Sequence, residues 1–271
     1  MKSICYTSLL ASSLLLLAGC HSGGTTSGSD SKAGAAATSG SKLAKLETKD
    51  DKIGDGGEFE NKAPAKKGDT VFMLYTGKLA DGSVFDSNTA DDDKKAFSFP
   101  LGTGSVIKGW DQGIVGMKIG GVRELSIPAN LAYGNDTKAG GKIPANSDLY
   151  FTVTLLDIVP AGTANQITYD DKKVGTGAEV AKGKKISVHY TITDLKGKEL
   201  DSNDYSWTIG DGKAFSQIEV GVTGMKVGGV RVLRLPDRQA LPLQEKRPKG
   251  PMAGMQQSDI QLVKIELKKV S

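Results

Sequence analysis

Short stretches in which apolar and polar residues alternate recur along both halves of the chain. VRELSIP, LYFTVTLL and ISVHYTIT show this period of two, which predicts short antiparallel strands with one buried face. The segment SVIKGWDQGIVGM at 105–117 differs, because its apolar residues recur at helical spacings behind Ser105, a candidate N-cap. We therefore predict an α+β fold in which a single short helix packs across the concave side of a twisted sheet.

The sequence contains an internal repeat. GMKIGGVRELSIP at 116–128 returns as GMKVGGVRVLRLP at 224–236. The flanking blocks match in the same order, 71–88 with 186–203 and 148–158 with 259–269. Self-similarity of this kind predicts two copies of one fold. We place them at 46–160 and 164–271 and refer to them as the first half and the second half.

The N-terminal region predicts export. Lys2, a short apolar run and the small residues before Cys20 are typical of a cleavable signal at 1–19. LAGC resembles a bacterial lipoprotein signal, which implies lipid attachment at Cys20 and a membrane-anchored protein of the bacterial cell envelope. His21, where an aspartate would retain such a protein in the inner membrane, favours the outer membrane. An ordinary secreted protein with an incidental cysteine is the alternative.

Composition excludes several other classes. Residues 20–45 are rich in Gly, Ser, Thr and Ala and predict a flexible linker. The net charge is only +4, and the lysines are scattered among acids, so we expect no nucleic-acid partner. The two histidines, His21 and His189, belong to no cluster with zinc or calcium spacing, and no glycine-rich phosphate loop precedes a helix. We expect no metal, no cofactor and no covalent intermediate.

Several motifs carry a family resemblance. YTGKLADGSVFDSN, FSFPLGTGSVIKGWDQGIVGM, the GG-R stretch, LAYG and IPANSDLYFTVTLL stand in this order in the first half. Together they resemble the FKBP-type peptidyl-prolyl cis/trans isomerases. The resemblance implies a twisted antiparallel half-barrel around one helix and an isomerase without a cofactor. It also implies an apolar pocket, formed here by Tyr75, Phe85, Asp86, Phe97, Val106, Ile107, Trp110, Tyr133, Ile143 and Phe151.

The resemblance also assigns roles within this pocket. Trp110 would be the floor under the prolyl ring, while the Tyr133 hydroxyl and the Ile107 amide would donate hydrogen bonds to substrate carbonyls. Phe99 would lie nearby and face the core. Buried aromatic residues often serve packing alone, which is the alternative for any one of them. The implied partners are proline-containing polypeptides and macrolide ligands of the family.

The second half keeps the repeat but loses most of the pocket. Tyr190 and Asp201 match Tyr75 and Asp86, so we expect this pair to support the fold in both halves. The segment between strand and helix is about seven residues shorter, and Trp207 aligns with Phe99. The other matched positions are Leu200 for Phe85, Ala214 for Val106, Phe215 for Ile107, Ile218 for Trp110, Leu241 for Tyr133 and Leu262 for Phe151. We predict a folded, catalytically inactive second half.

The leading hypothesis is therefore a lipid-anchored isomerase that assists the folding of envelope or secreted proteins. A twisted X-Pro amide has lost its resonance and is less polar than the planar ground state, so a dry apolar pocket favours it. A non-catalytic chaperone or client-binding scaffold lipoprotein is the alternative, and the loop at 241–258 is a candidate surface for it, although a solvated loop explains that segment as well. A purely structural envelope lipoprotein is the third reading.

Overall fold

The computed structural model describes residues 41–57, 63–89, 96–163, 166–214, 216–235 and 261–271. The predicted signal at 1–19, Cys20, most of the predicted linker and the loop at 241–258 lie outside these residues. Among the residues it describes, no helix is long and apolar enough to cross a membrane.

The first half forms one antiparallel sheet with a short helix against it. The strands run in the order β1-β5-β6-β2-β3, and β4 also pairs with β2. The elements are β1 Glu47–Lys52, β2 Thr70–Lys78, β3 Val84–Ser87, β4 Phe97–Pro100, α1 Lys108–Gly113, β5 Val122–Ile127 and β6 Leu149–Val159.

Within its described residues, the second half repeats this arrangement with one strand fewer. Its sheet has the order β7-β10-β11-β8-β9. The elements are β7 Thr168–Lys173, β8 Lys185–Thr193, β9 Glu199–Thr208, α2 Ser216–Val222, β10 Val230–Leu235 and β11 Gln261–Val270. The predicted α+β fold, with two tandem antiparallel sheets and one short helix against each, is confirmed.

The alternating pattern places the core on one face of each sheet. Along β6, the side chains of Leu149, Phe151, Val153 and Leu155 are buried, while the residues between them are more exposed. These side chains join the core of the first half, and an equivalent cluster forms in the second half. The period of two in the sequence therefore locates the buried face, as expected for a half-buried strand.

Helix α1 begins later than the sequence predicts. The backbone is still extended at Ile107 (φ −58°, ψ 145°), which occupies the N-cap position without a side-chain hydrogen bond. The Ser105 hydroxyl instead shares a hydrogen bond of 2.8 Å with the Thr103 hydroxyl. Ser105 is therefore not the cap, because the chain turns into the helix only after Ile107.

Two glycines let α1 lie directly on the sheet. A Cβ atom on Gly109 would stand 2.4 Å from Cγ2 of Ile127, and one on Gly113 would stand 2.8 Å from Cδ2 of Leu125. Since both contacts are with β5 side chains, any larger residue on this helix face would push α1 off the sheet. The close approach fixes the height of the helix above the sheet.

The repeated GGVR motif has a structural explanation. Arg123 donates from Nη1 to the carbonyl oxygens of Gly113 (2.8 Å) and Val115 (3.1 Å), and from Nε and Nη2 to Asp50 (2.6 and 3.0 Å). The arginine thus ties the end of α1 to the edge strand β1. Arg231 makes the same set of bonds in the second half, to the carbonyls of Gly221 and Thr223 and to the carboxylate of Asp171.

Candidate active site

A cavity of about 710 Å³ opens on the concave side of the first sheet. Strands β2, β3, β4 and β6, the start of α1 and the loop after β5 all contribute to its walls. The lining residues are Tyr75, Phe85, Asp86, Phe97, Gly104, Ser105, Val106, Ile107, Lys108, Trp110, Asn130, Ala132, Tyr133 and Phe151. The structure thus brings together nine of the ten pocket residues that the sequence resemblance implies.

Trp110 lies at the base of this cavity, in the first turn of α1. It is only 4% exposed, and its indole Nε1–H has no hydrogen-bond partner among the described residues. Aromatic rings surround it at centroid distances of 5.1 Å for Phe151, 5.2 Å for Tyr75, and 5.7 Å for both Phe97 and Phe99. Such distances are typical of aromatic packing, so the indole sits in an apolar, ring-lined base.

Two phenylalanines form a wall beside the indole. The rings of Phe85 and Phe151 meet edge to face, with centroids 5.6 Å apart and planes at 89°. Gly77 on β2 makes room for both, since a Cβ atom there would lie 2.6 Å from Cζ of Phe85 and 2.7 Å from Cε1 of Phe151. The glycine in YTGK is therefore part of the cavity although its own atoms do not line it.

Tyr75 and Asp86 form a hydrogen-bonded pair at the rim. The Tyr75 hydroxyl donates to Oδ2 of Asp86 at 2.5 Å. Burial raises the pKa of Tyr75 above its ordinary value, and the hydrogen bond to Asp86 adds to the rise. The phenol therefore stays protonated and remains the donor throughout the neutral range.

The opposite rim comes from the start of α1 and the loop after β5. Val106 and Ile107 are half-buried there, and Tyr133, which is 36% exposed, follows a 3-10 turn at Ala129–Leu131. Neither the Ile107 amide nor the Tyr133 hydroxyl has a hydrogen-bond partner among the described residues. Both donors are thus available to a ligand.

Ile143 differs from the other predicted pocket residues. It is 3% exposed and belongs to the core of the first half, and it is not among the residues that line the cavity. Its amide and carbonyl instead pair with the backbone of Lys138. The side chain of Ile143 therefore packs in the core of the first half.

Sequence reasoning missed five lining residues. Gly104, Ser105, Lys108, Asn130 and Ala132 all contribute to the cavity. Each lies within three residues along the chain of a predicted pocket residue, which is the signal that could have identified them. Residues of these five types occur throughout the chain, so residue type alone does not mark them as lining residues.

Asp148 connects the rim loop to the N-terminal side of the first half. Its carboxylate accepts hydrogen bonds from the Ser41 hydroxyl (2.5 Å) and from the amides of Lys42 (2.6 Å), Leu43 (2.9 Å) and Ala129 (3.1 Å). Burial opposes the charged form, but these hydrogen bonds outweigh it and lower the pKa of Asp148. The carboxylate thus fixes the start of the 3-10 turn that leads to Tyr133.

The second half keeps the tyrosine–aspartate pair without the aromatic cavity lining. The Tyr190 hydroxyl donates to Oδ2 of Asp201 at 2.7 Å, and burial raises the pKa of Tyr190 as it does for the first tyrosine. Ile192, at the position of Gly77, is buried in the core. An isoleucine occupies the space in which two rings meet in the first half. Phe215 and Leu241 lie outside the described residues.

The large indole changes its position in the second half. Trp207 on β9 pairs with Ile186 as Phe99 on β4 pairs with Val71, so the predicted match of Trp207 to Phe99 agrees with the strand register. Ile218 on α2 is fully buried at the position of Trp110. The large ring therefore comes from the sheet and the smaller side chain from the helix, and the indole floor on the helix is absent.

Strand register corrects one sequence match. Phe151 pairs with Gly77 in the first half, and Val263 pairs with Ile192 in the second. Gly77 and Ile192 each lie two residues after the repeated tyrosine, so the equivalent of Phe151 is Val263. The expected match to Leu262 is out by one residue, which would turn the side chain to the other face of the sheet.

Comparison with known proteins assigns the family. The model for the FKBP-type peptidyl-prolyl cis-trans isomerases matches residues 61–156 and 177–262. The chain belongs to this family. FK506-binding protein 2 of Yarrowia lipolytica is 52% identical over 103 residues, which cover 38% of this chain and 69% of that protein. Both halves are thus FKBP domains, and the predicted tandem arrangement is confirmed.

Other similar proteins match half of this chain or less. FK506-binding protein 4 of Aspergillus oryzae is 50% identical over 137 residues, half of this chain but only 27% of the relative's length. A crystal structure of AtFKBP13 shows 38% identity over 44% of this chain and 96% of its own, with a TM-score of 0.36. A crystal structure of FkpA from Escherichia coli shows 40% identity over 43% of this chain and 49% of its own, also with a TM-score of 0.36.

These relatives overturn the predicted location. The curated proteins most like this chain include FK506-binding proteins of Aspergillus, Yarrowia and Candida, which are fungi. The prediction of a lipid-anchored protein in the bacterial cell envelope is therefore wrong. It rested on a short motif before Cys20, and short apolar runs with small residues carry little information about the organism.

Metal chemistry has no candidate in the described residues. No group of three or more His, Cys, Asp or Glu side chains there is arranged to hold a metal ion. The cavity presents aromatic faces, donors without a partner among the described residues at Ile107, Trp110 and Tyr133, and one carboxylate that is already hydrogen-bonded. Such a lining suits an apolar ring flanked by carbonyl groups.

Proposed function

We propose that the first half catalyses cis/trans isomerisation of X-Pro bonds in polypeptide clients. The observation that carries the proposal is the indole of Trp110 at the base of an open aromatic cavity. Membership in the FKBP-type isomerase family supports the same assignment. A prolyl ring is a small, saturated apolar group of a size that such a base accommodates.

The proposed mechanism needs no proton transfer. Amide resonance keeps the X-Pro bond planar and makes its rotation slow, on the order of tens to hundreds of seconds. The twisted amide has lost that resonance and is less polar, so the aromatic cavity holds it better than water does. Binding that favours the twisted form lowers the barrier, and about 5 kcal/mol would provide several thousandfold acceleration.

The cavity residues take complementary roles in this proposal. Trp110 supports the prolyl ring, while Phe85 and Phe151 exclude water from the amide. The Ile107 amide and the Tyr133 hydroxyl, which lack partners among the described residues, donate to the carbonyls on either side of the proline. Two such hydrogen bonds would hold the peptide backbone while the prolyl ring rests on the indole.

The second half is proposed to contribute no turnover. Ile218, Ile192 and Leu200 replace the indole, the glycine and the phenylalanine that shape the cavity of the first half, and the first two are buried. A substrate ring would have no aromatic base there. The predicted inactivity of the second half thus has a packing explanation.

Clients and ligands follow from the same cavity. Proline-containing polypeptides whose folding waits for isomerisation are the proposed clients, because that step is slow without catalysis. Several relatives are named FK506-binding proteins, and we propose that FK506 occupies the cavity above Trp110. We do not propose clients from the bacterial envelope, because the predicted location in that envelope is wrong.

A pair of matched variants tests the proposal. NMR exchange on a short X-Pro peptide should show acceleration by the full chain, and FK506 should abolish it. Phe85→Ala should lower kcat/KM by about tenfold or more, while Leu200→Ala, at the equivalent position of the second half, should stay within about twofold. Circular dichroism checks that both variants are folded.

Four results would contradict the proposal. The first is a full chain that leaves the exchange rate unchanged, and the second is equal loss in the two variants. The third is suppression of client aggregation without any acceleration, which would favour the non-catalytic chaperone. Acceleration that survives in Phe85→Ala but disappears in Leu200→Ala would move the site to the second half.

A further inference from the structure

Asp111 joins two parts of the candidate active site. It follows Trp110 in the first turn of α1, and its two carboxylate oxygens each accept one backbone amide from the preceding loop. Oδ1 accepts the Gly102 amide and Oδ2 accepts the Gly104 amide, both at 2.8 Å. Hydrogen bonds from amides to a carboxylate are stronger than neutral ones, so this side chain clamps the loop at two points.

Two glycines give the clamped loop a left-handed backbone at the residues whose amides are held. Gly102 and Gly104 both have positive φ, 77° and 78°, a region that other residues rarely adopt. These conformations turn both amides toward the same carboxylate. Gly210 and Gly212 of the second half also have positive φ, 91° and 69°, so the glycines allow the loop backbone and Asp111 adds the two hydrogen bonds that hold it.

The clamped loop forms one wall of the cavity. Gly104, Ser105, Val106 and Ile107 line it in succession, immediately after the second clamped amide. Trp110, the base, precedes Asp111 in the chain. One carboxylate thus sets the distance between the wall that includes the Ile107 donor and the indole beneath it.

The second half provides an internal comparison. Glu219 is the fourth residue of α2, as Asp111 is the fourth residue of α1. Both of its oxygens accept the single amide of Gly210, at 3.1 and 3.2 Å. The two-point clamp occurs in the half with the aromatic cavity, and a one-point clamp occurs in the half that lacks the indole floor.

We propose that Asp111 is a positioning residue for the isomerase site. It does not touch the substrate but holds the Val106–Ile107 wall at the height above Trp110 that fits a twisted prolyl amide. The inference rests on the proposed function of the first half. Small displacements of such walls reduce catalysis strongly, because the pocket must match the transition state.

Asparagine at this position tests the clamp. Asp111→Asn keeps one acceptor oxygen and loses the charge, so kcat/KM for an X-Pro peptide should fall by about tenfold. Asp81→Asn is the matched control, because Asp81 also accepts a loop amide and a hydroxyl, from Ser83, but does not line the cavity. Asp81→Asn should retain the activity of the unsubstituted chain. Circular dichroism and urea unfolding give the folded fraction of each protein.

Glutamate gives a second, graded variant. In Asp111→Glu the charge remains, and the side chain should hold one amide as Glu219 does. Hydrogen exchange measured by NMR should speed up at the Gly104 amide and less at Gly102, with kcat/KM between those of the asparagine variant and the unsubstituted chain. If Asp111 had only a structural role, its replacement would change the stability of the fold, but faster exchange at the Gly104 amide would not be accompanied by a lower kcat/KM.

The outcomes separate this role from the proposed function. A full chain without isomerase activity overturns the proposed function and this role with it. An active chain whose fully folded Asp111→Asn variant keeps its activity, or loses no more than Asp81→Asn does, overturns the role of Asp111 alone. Where the asparagine variant does not fold, faster exchange at Gly104 with unchanged activity in Asp111→Glu overturns it.

Discussion

At the scale of single residues, Gly77 decides whether the aromatic wall can form. The rings of Phe85 and Phe151 meet directly above its Cα atom, so close that a Cβ atom would stand 2.6 and 2.7 Å from them. The second half has Ile192 at this position, and Leu200 and Val263 in place of the two rings. These three replacements belong together, because the isoleucine side chain fills the space in which the two aromatic rings would meet.

A single methyl group at this glycine should therefore damage the cavity. Gly77→Ala is expected to lower kcat/KM by about tenfold, since both rings must move away from the indole. Gly82→Ala is the control: it has a positive φ of 85° and nothing within 4 Å of the added atom, so it reports backbone strain alone. Peptide exchange and urea unfolding of both variants give the comparison, and equal activity in the two would contradict the packing argument.

Removing the tyrosine hydroxyl from the tyrosine–aspartate pair should destabilise the fold in either half. Tyr75→Phe and Tyr190→Phe each remove one hydrogen bond to a carboxylate, which should lower the free energy of unfolding by about 1–3 kcal/mol. Isomerase activity should change by less than about threefold in Tyr190→Phe. Denaturant unfolding measures the first effect and peptide exchange the second. A loss confined to Tyr75→Phe would show that the pair matters only beside the cavity.

At the scale of elements, the two halves differ most between strand and helix. Phe97 follows Ser87 by ten residues, whereas Tyr205 follows Ser202 by three. Both pairs occupy equivalent register positions against β2 and β8. The second half therefore runs through this region as the continuous strand β9, while the first half divides into β3 and β4 on either side of 90–95.

The rim loop after β5 depends on a charged anchor, and this gives a pH prediction. The pKa of Asp148 is lower in the folded protein than in the unfolded chain, where aspartate titrates near about pH 3.9. The stabilisation is therefore complete above about pH 5 and is lost as the pH falls through the lowered folded pKa. Asp148→Asn should lower the free energy of unfolding by about 2 kcal/mol at pH 7, and by progressively less as the pH falls.

Unfolding by urea at several pH values measures this difference. Asp81→Asn, which changes the same charge in an exposed turn, is the control. Hydrogen bonds from Ser83 lower the pKa of Asp81 as well, so the loss of stability should be smaller than in Asp148→Asn at pH 7 and should also shrink in acid. If the loss in the free energy of unfolding caused by Asp148→Asn does not shrink between pH 7 and pH 3, the charged state assigned to Asp148 is contradicted.

At the scale of the whole molecule, an ion pair joins the two halves. Asp157 at the end of β6 and Arg234 on β10 are both buried. Nε and Nη2 of Arg234 donate to the same oxygen of Asp157, at 2.6 and 2.5 Å. The residues are far apart in the chain, so this contact exists only because both halves are folded and packed together.

Replacing one residue of the Asp157–Arg234 pair should destabilise the protein strongly, and replacing both should destabilise it much less. Arg234→Met leaves a buried carboxylate without its cation and should lower the free energy of unfolding by about 3–5 kcal/mol. The double variant Asp157→Leu/Arg234→Met should recover most of this loss, because no charge remains buried. Urea unfolding of the two single variants and the double variant completes the cycle. Additive effects of the single changes would contradict a coupled pair.

The sequence by itself determined the parts of this protein that depend on local pattern. Alternation located the buried strand faces of β6 and β8, the repeat indicated two copies, and the ordered aromatic motifs indicated the family and nine of the lining residues. Each of these signals is a pattern in the order of residues along the chain and requires no knowledge of contacts between segments. The fungal relatives corrected the predicted location, because the short motif before Cys20 carried too little information.

Only the tertiary structure decided the features that depend on contacts between distant segments. Ile143 turns into the core, Val263 rather than Leu262 matches Phe151, and α1 begins at Lys108. The two-amide clamp of Asp111 and the space left by Gly77 likewise appear only once loop, helix and strands are packed. Side-chain direction and spacing across a fold are set by packing between segments, and no single stretch of sequence carries that information.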